Sequence, residues 1–196
     1  VRLNLDSNCS HLKAVHTVVE GIAKSKINHK YNHDYNSLSS IIIHGDAAIA
    51  AQGIVYETVQ MSKLHGYKTG GTIHLVINNQ VGFTTNYLDA RSSTYCTDVG
   101  KVIKAPIFHV NGDDVEALTF IIQLAMEYRQ QFHTDVFIDL LCYRKHGHNE
   151  GDEPRFTQPL LYKAISKHPN PRDIFSKTLL EQNTYNKEEI EKEEKE

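Results

Sequence analysis

Four short apolar runs punctuate the chain: SSIIIHG at 39–45, TIHLVI at 72–77, APIFHV at 105–110 and VFIDLLCY at 136–143. Each is largely continuous, without strict alternation, and is bounded by Gly, Asn, Asp or charged residues. That pattern predicts strands buried on both faces of a sheet. Between the first two runs, Ile49, Gly53, Tyr56, Val59, Gln60 and Leu64 recur at spacings near three and four, which predicts a helix from Ala47 to about Leu64. GYKTGG then ends it with a glycine turn. After the third run, Asp113 or Asp114 is placed to cap a helix whose apolar face includes Leu118, Ile121, Ile122 and Ala125. A further helix is expected near 172–182. The segment 23–40 is polar and rich in Asn, Ser and His, so it reads as a surface loop with room for a short helix. NNQVGFTT at 78–85 reads as a loop, and the opening VRLNLDSNCSHL alternates like a strand.

Strands alternating with helices of this length imply an α/β fold, a parallel sheet with helices on both faces. Ligands of such sheets sit outside the carboxyl ends of the strands. HGDAA, NNQVG, VNGDD and RKHGHNE all fall there.

Composition narrows the partners. With 40% hydrophobic and 23% charged residues and a formal net charge of -3, the chain is ordinary for a globular protein. The mild acidity argues against nucleic acid or a membrane surface as the main partner. No run approaches the ~20 consecutive apolar residues of a membrane span. Cys9, Cys96 and Cys142 are odd in number and far apart, which suggests free thiols in a reducing compartment. The chain starts inside an alternating stretch with no targeting pattern and stops in the charged run NKEEIEKEEKE with no C-cap, so a piece of something longer is expected.

Several motif matches fail. No GxGxxG follows a strand, and GYKTGG lacks P-loop spacing. Ser10-His11-Leu12-Lys13 and Lys68-Thr69-Gly70 mimic two boxes of the penicillin-binding serine enzymes, but the middle box is missing. His29 and His33 have helical metal spacing inside what reads as a loop. Asp46 and Asn79 form a better pair. They lie 33 positions apart, one helix and one strand, so adjacent strand ends would bring them together. Their oxygens suit magnesium, which usually completes its octahedron with phosphate and water. Ala47 and Ala48 leave the helix start bare for an anion, and Gly82 would let the loop after Asn79 turn a carbonyl to the same cation. A capping Asp beside an Asn-rich turn is the plainer alternative for either half alone. The coincidence of both halves at matching sheet positions favours a magnesium-diphosphate site.

Gly-Asp followed by Asn-Asn at this distance is the thiamine diphosphate motif of the diphosphate-binding domain. NCSHLKAV, HGDAAIAAQGIVYE, GTIHLVINNQVGFTT, DARSSTYCTDVGKV, APIFHVNGDD, VFIDLLCYRKHGHNEGDEP and FTQPLLYKAI narrow it further. From Val1 to Gln182 the chain resembles the first-component family of 2-oxoglutarate dehydrogenases. The resemblance implies a thiamine diphosphate-binding fold over 1–182, with 183–196 a charged helical tail leading to a pyrimidine-binding domain outside this sequence. It implies thiamine diphosphate and Mg2+ as cofactors, with Asp46, Asn79 and the Val81 carbonyl on the metal, and Asp46, Ala47 and Asn79 against the diphosphate. His148, in the Tyr-Arg-x-x-Gly-His loop, would contact the cofactor's phosphate end and the substrate, and His11 would face the reacting centre. The implied reaction is oxidative decarboxylation of 2-oxoglutarate, with the succinyl group passed to a lipoyl-bearing succinyltransferase component by a homodimer in bacterial cytoplasm or the mitochondrial matrix. A 2-oxoadipate-acting relative and a silent folding or pairing module are the alternatives. His146 is left unassigned, and His44 is a secondary candidate for the site wall.

Departures from the family pattern are local. Asn-Pro-Ser-His-Leu-Glu reads Asn-Cys-Ser-His-Leu-Lys here, with Cys9 for Pro and a charge reversal at Lys13. The Gly-Asp-Gly of many thiamine enzymes is Gly-Asp-Ala, which is this family's own variant.

Overall fold

The computed structural model describes residues 2–7 and 12–193. Strands β1 (Ser40–Gly45), β2 (Thr72–Asn78), β5 (Ile107–Asn111) and β6 (Val136–Leu141) form one sheet, and β3 (Val81–Gly82) and β4 (Thr85–Asn86) form a small hairpin. The sheet order is β1-β2-β6-β5, every neighbour parallel. The helices are α1 (Ala14–Lys30), α2 (Asp46–Ala51), α3 (Gly53–Met61), α4 (Tyr87–Ala90), α5 (Val99–Val102), α6 (Val115–Phe132), α7 (Pro159–Ile165), α8 (Pro171–Glu181) and α9 (Lys187–Glu193). They cover both faces of the sheet, as the alternation of elements predicts.

Two cores lie on those faces. Ile49, Val55, Val59, Val99 and Ile103 pack with Val76 and Phe137 on one side. On the other, Ala125, Leu118 and Ile121 of α6 meet Ile73, Val110, Val136 and Ile138. Consecutive residues of β2 and β6 thus feed opposite cores, which is why these runs are apolar without interruption. Asp114 is the α6 cap, its carboxylate accepting from the Ala117 amide at 2.9 Å.

Four expectations change. Residues 23–30 belong to α1, which buries His16, Ala23 and Ile27 at helical spacing despite the polar composition around them. The helix expected over 47–64 is interrupted at Gln52, which is extended (φ -82, ψ 117) and separates α2 from α3. β1 is an edge strand whose Ile41 and Ile43 are 57% and 66% exposed, so only its inward face is buried. Residues 2–7 form no strand, since no described neighbour pairs with their backbone. At the other end, α9 opens with a capping box: the Asn186 side chain accepts from the Glu189 amide and the Glu189 carboxylate from the Asn186 amide.

Candidate functional site

Register places the two halves of the predicted pair side by side. Gly45 of β1 pairs with Ile77 of β2, so Asp46 and Asn78-Asn79 leave neighbouring strands at the same level. Asn78 and Asn111 both pair with Leu141 of β6, which brings the VNGDD and RKHGHNE loops to that edge as well.

Asp46 is the first residue of α2, not its cap, and its carboxylate faces the backbone amides of Asp46 and Ala47 at the start of that helix. It is almost wholly buried. Its one side-chain partner is Arg91, whose Nη1 lies 3.3 Å from Oδ2. Burial raises the carboxyl above the usual carboxylate range, with the guanidinium pulling the other way. Asn79 turns its Oδ1 onto the Val81 amide at 3.3 Å, which shapes the start of the β3-β4 hairpin. That hairpin sits on the first turn of α2: a Cβ on Gly82 would come within 2.7 Å of the Ala47 Cβ. Glycine is therefore required at 82 for a close approach. Asp46, Asn79 and the Val81 carbonyl are hard oxygen donors, and a buried carboxylate whose one cationic partner lies at 3.3 Å is short of positive charge. These residues fit a divalent cation with an anion above Ala47. Because α2 has only six residues, the cation, more than the helix dipole, would have to neutralise that anion.

His148 reaches the same edge. It is exposed, its amide donates to Asp152 Oδ2 at 2.8 Å, and its ring packs 4.8 Å from Phe83 at the hairpin turn. Arg144 locks the two loops together, donating to the Phe83 carbonyl at 2.9 Å and the Tyr162 hydroxyl at 3.1 Å. His146 is exposed and contributes its carbonyl to the Tyr162 hydroxyl. His11 lies outside the described residues.

His44 does not line this edge. It is buried on the inward face of β1, where its Nδ1 meets Lys13 Nζ at 2.9 Å and its Nε2 meets His74 Nδ1 at 3.0 Å. An ammonium only donates, so His44 Nδ1 accepts, its proton sits on Nε2, and His74 carries its own proton on Nε2. That nitrogen faces Asp135 at 3.8 Å. The charge reversal at Lys13 is thereby absorbed by a neutral imidazole. Burial keeps Lys13 down to about 8, and burial with His74 nearby keeps His16 down to about 3.

Sequence reasoning passed over a second cluster. Asp139, in the middle of β6, accepts from Asn78 Nδ2 and His109 Nδ1, both at 2.9 Å, with Cys96 Sγ at 3.7 Å. Burial, then Asp139, pushes the Cys96 thiol up to about 12. A carboxylate inside the apolar run VFIDLL was the signal, because such a group needs partners. Arg91, His109, Tyr87 and Asn111 line a cavity of about 390 Å³ at this edge. No group of three or more His, Cys, Asp or Glu side chains arranged for a metal occurs among the described residues, so His29 and His33 stay unassigned. Nor is any described helix long and apolar enough to cross a membrane.

The model of the dehydrogenase E1 component family matches residues 5–196. The chain is 55% identical to the mitochondrial 2-oxoglutarate dehydrogenase of Schizosaccharomyces pombe, over 100% of this chain and 19% of that protein. It is 52% identical to the 2-oxoglutarate dehydrogenase E1 component of Azotobacter vinelandii, over 97% of this chain and 20% of the relative. The mitochondrial 2-oxoglutarate dehydrogenase of Dictyostelium discoideum is 48% identical over 96% of the chain and 19% of its own length. The chain thus spans about a fifth of the length of these relatives.

Proposed function

Because the chain belongs to the dehydrogenase E1 component family, we propose that it supplies the magnesium-diphosphate half of a thiamine diphosphate-dependent 2-oxoglutarate dehydrogenase. Asp46 and Asn79 hold Mg2+ through side-chain oxygens and Val81 through its carbonyl. Asp46, Ala47 and Asn79 line the diphosphate. The cofactor, when bound, supplies the electron sink for decarboxylation. His148, on a loop braced by Arg144, stands at the phosphate end and toward the substrate. Its imidazole can give and take a proton near neutral pH. His11 is assigned to the reacting centre. The complete enzyme would be a homodimer that passes the succinyl group to the lipoyl group of a succinyltransferase component, in bacterial cytoplasm or the mitochondrial matrix.

The observation that carries this is the register of β1 on β2, with Gly82 closed down on Ala47 above the buried Asp46 carboxylate. Calorimetric titration of thiamine diphosphate with Mg2+ into the chain is expected to give saturable binding that Asp46→Ala abolishes. Equal binding by wild type and variant would remove the assignment.

A further inference from the structure

The positive charge beside Asp46 belongs to the protein itself. Arg91 follows α4 and reaches back to the start of α2, with its side chain 8% and that of Asp46 3% exposed. Two buried opposite charges normally lock together through two short bonds of about 2.7–2.9 Å. Here a single nitrogen, Nη1, makes the contact at 3.3 Å, and the buried Arg91 Nε has no partner. The guanidinium carbon also lies 5.5 Å from the centre of the Tyr87 ring. Both side chains line the cavity of about 390 Å³ that continues to His109 and Asn111. The guanidinium thus already lies over an aromatic face and beside open space, and keeps that support if the carboxylate is taken from it.

We propose that Arg91 is an internal counter-ion that holds Asp46 until a divalent cation takes the carboxylate, whereupon the guanidinium, still over Tyr87, turns to face an anion in the adjoining cavity. This presupposes Asp46 as a metal ligand, as proposed above. The charges explain why such an exchange is useful. Arg91 and Asp46 alone are neutral together. A divalent cation raises the cluster to two positive charges, which an anion of at least two negative charges balances. Metal without a polyanion must displace a protein charge and leave a buried excess, so it binds poorly. Metal with a polyanion binds well, and each tightens the other by the same factor. The carboxylate is thus protected from stray cations and opens only to the matched pair.

Mn2+, read by the loss of its free electron paramagnetic resonance signal relative to protein-free samples at the same diphosphate concentration, and inorganic diphosphate probe this on the full chain. Wild type is expected to bind Mn2+ weakly alone and more tightly with diphosphate. Arg91→Met should tighten Mn2+ alone by about 10-fold, within the usual span of coupling between ligands, and should shrink the enhancement by diphosphate. Arg91→Lys, which keeps the charge, should stay near wild type. Unchanged Mn2+ affinity in Arg91→Met, with binding lost in Asp46→Asn, overturns the counter-ion role while leaving the metal site standing. Equal Mn2+ binding by wild type and Asp46→Asn overturns the metal site itself. Phenylglyoxal labelling of the wild-type chain, mapped by peptide mass, decides the matter if Arg91→Met does not fold. Saturating Mn2+ should speed modification of Arg91, and an unchanged or slower rate refutes its displacement.

Discussion

The side chains of Arg129 and Arg91 are both largely shielded from solvent, at opposite ends of one sheet, and their surroundings differ in kind. Arg129 projects from α6 beneath the amino ends of β1 and β2, fully out of solvent. Its Nε donates to the Gly71 carbonyl at 3.0 Å, and its terminal nitrogens reach the Tyr35 and Leu38 carbonyls, each at 2.7 Å. Thr69 and Gln130 complete the ring of acceptors. The two segments that lead into β1 and β2 hang on one side chain. Arg91, at the carboxyl end, has one long contact and an orphaned nitrogen. A buried polar group whose bonds are all made stabilises a fold. One left short calls for an explanation, and at Arg91 the neighbouring Asp46 and open cavity offer one.

Substitution should separate the two ends most sharply at the arginines. Arg129→Met leaves several buried carbonyls without a donor and is expected to cost about 3–5 kcal/mol in urea unfolding. A loss below about 1 kcal/mol, the net value of one ordinary hydrogen bond, would erase the contrast. Gly82→Ala comes next. Its Cβ would press on Ala47, so a stability loss of about 1–2 kcal/mol is expected together with a clear drop in diphosphate affinity. Unaltered diphosphate binding would detach the hairpin from the site.

A third contrast concerns pH. Lys13 is buried against His44, and burial brings it from 10.5 to about 8. Between those two values the unfolded chain holds a proton that the folded chain has released, so stability should rise with pH across that window and level off above it. The penalty for the buried ammonium is fully present below about pH 8. Lys13→Met should abolish the rise in a series of unfolding curves. A rise of the same size in the variant would assign it to another group.

How much was legible depends on the range of the interactions involved. Strands β2 and β6 were readable because continuous apolar runs between turn residues reflect burial between two helical layers, and the edge strands β1 and β5 carry similar runs with less burial. The Asp46 and Asn79 pair was readable because its spacing encodes one helix and one strand. Residues 23–30 of α1 read as loop because composition outweighed the spacing of His16, Ala23 and Ile27, which was available in the chain. The break at Gln52 had only Gly53 as its local sign.

Other features had no local sign at all. Ile41 and Ile43 look like core residues, and only the position of β1 at the sheet edge exposes them. His44 looked like a site wall because it precedes Gly45, yet alternation along a strand sends neighbouring side chains to opposite faces. Arg91 stands 45 residues from Asp46, and nothing in DARSS says that its guanidinium turns inward.

The amino-acid sequence alone determined the layered α/β fold, the strand-end position of Asp46 and Asn79, and the Gly82 that lets the hairpin close. Periodicity and turn chemistry act over a few residues and leave their mark on the chain. Tertiary structure decided which charges share one buried space: Arg91 with Asp46, Lys13 with His44, and Asp139 with His109. Those pairings arise when parallel strands bring distant segments into register, and a buried charge takes whatever partner that register delivers.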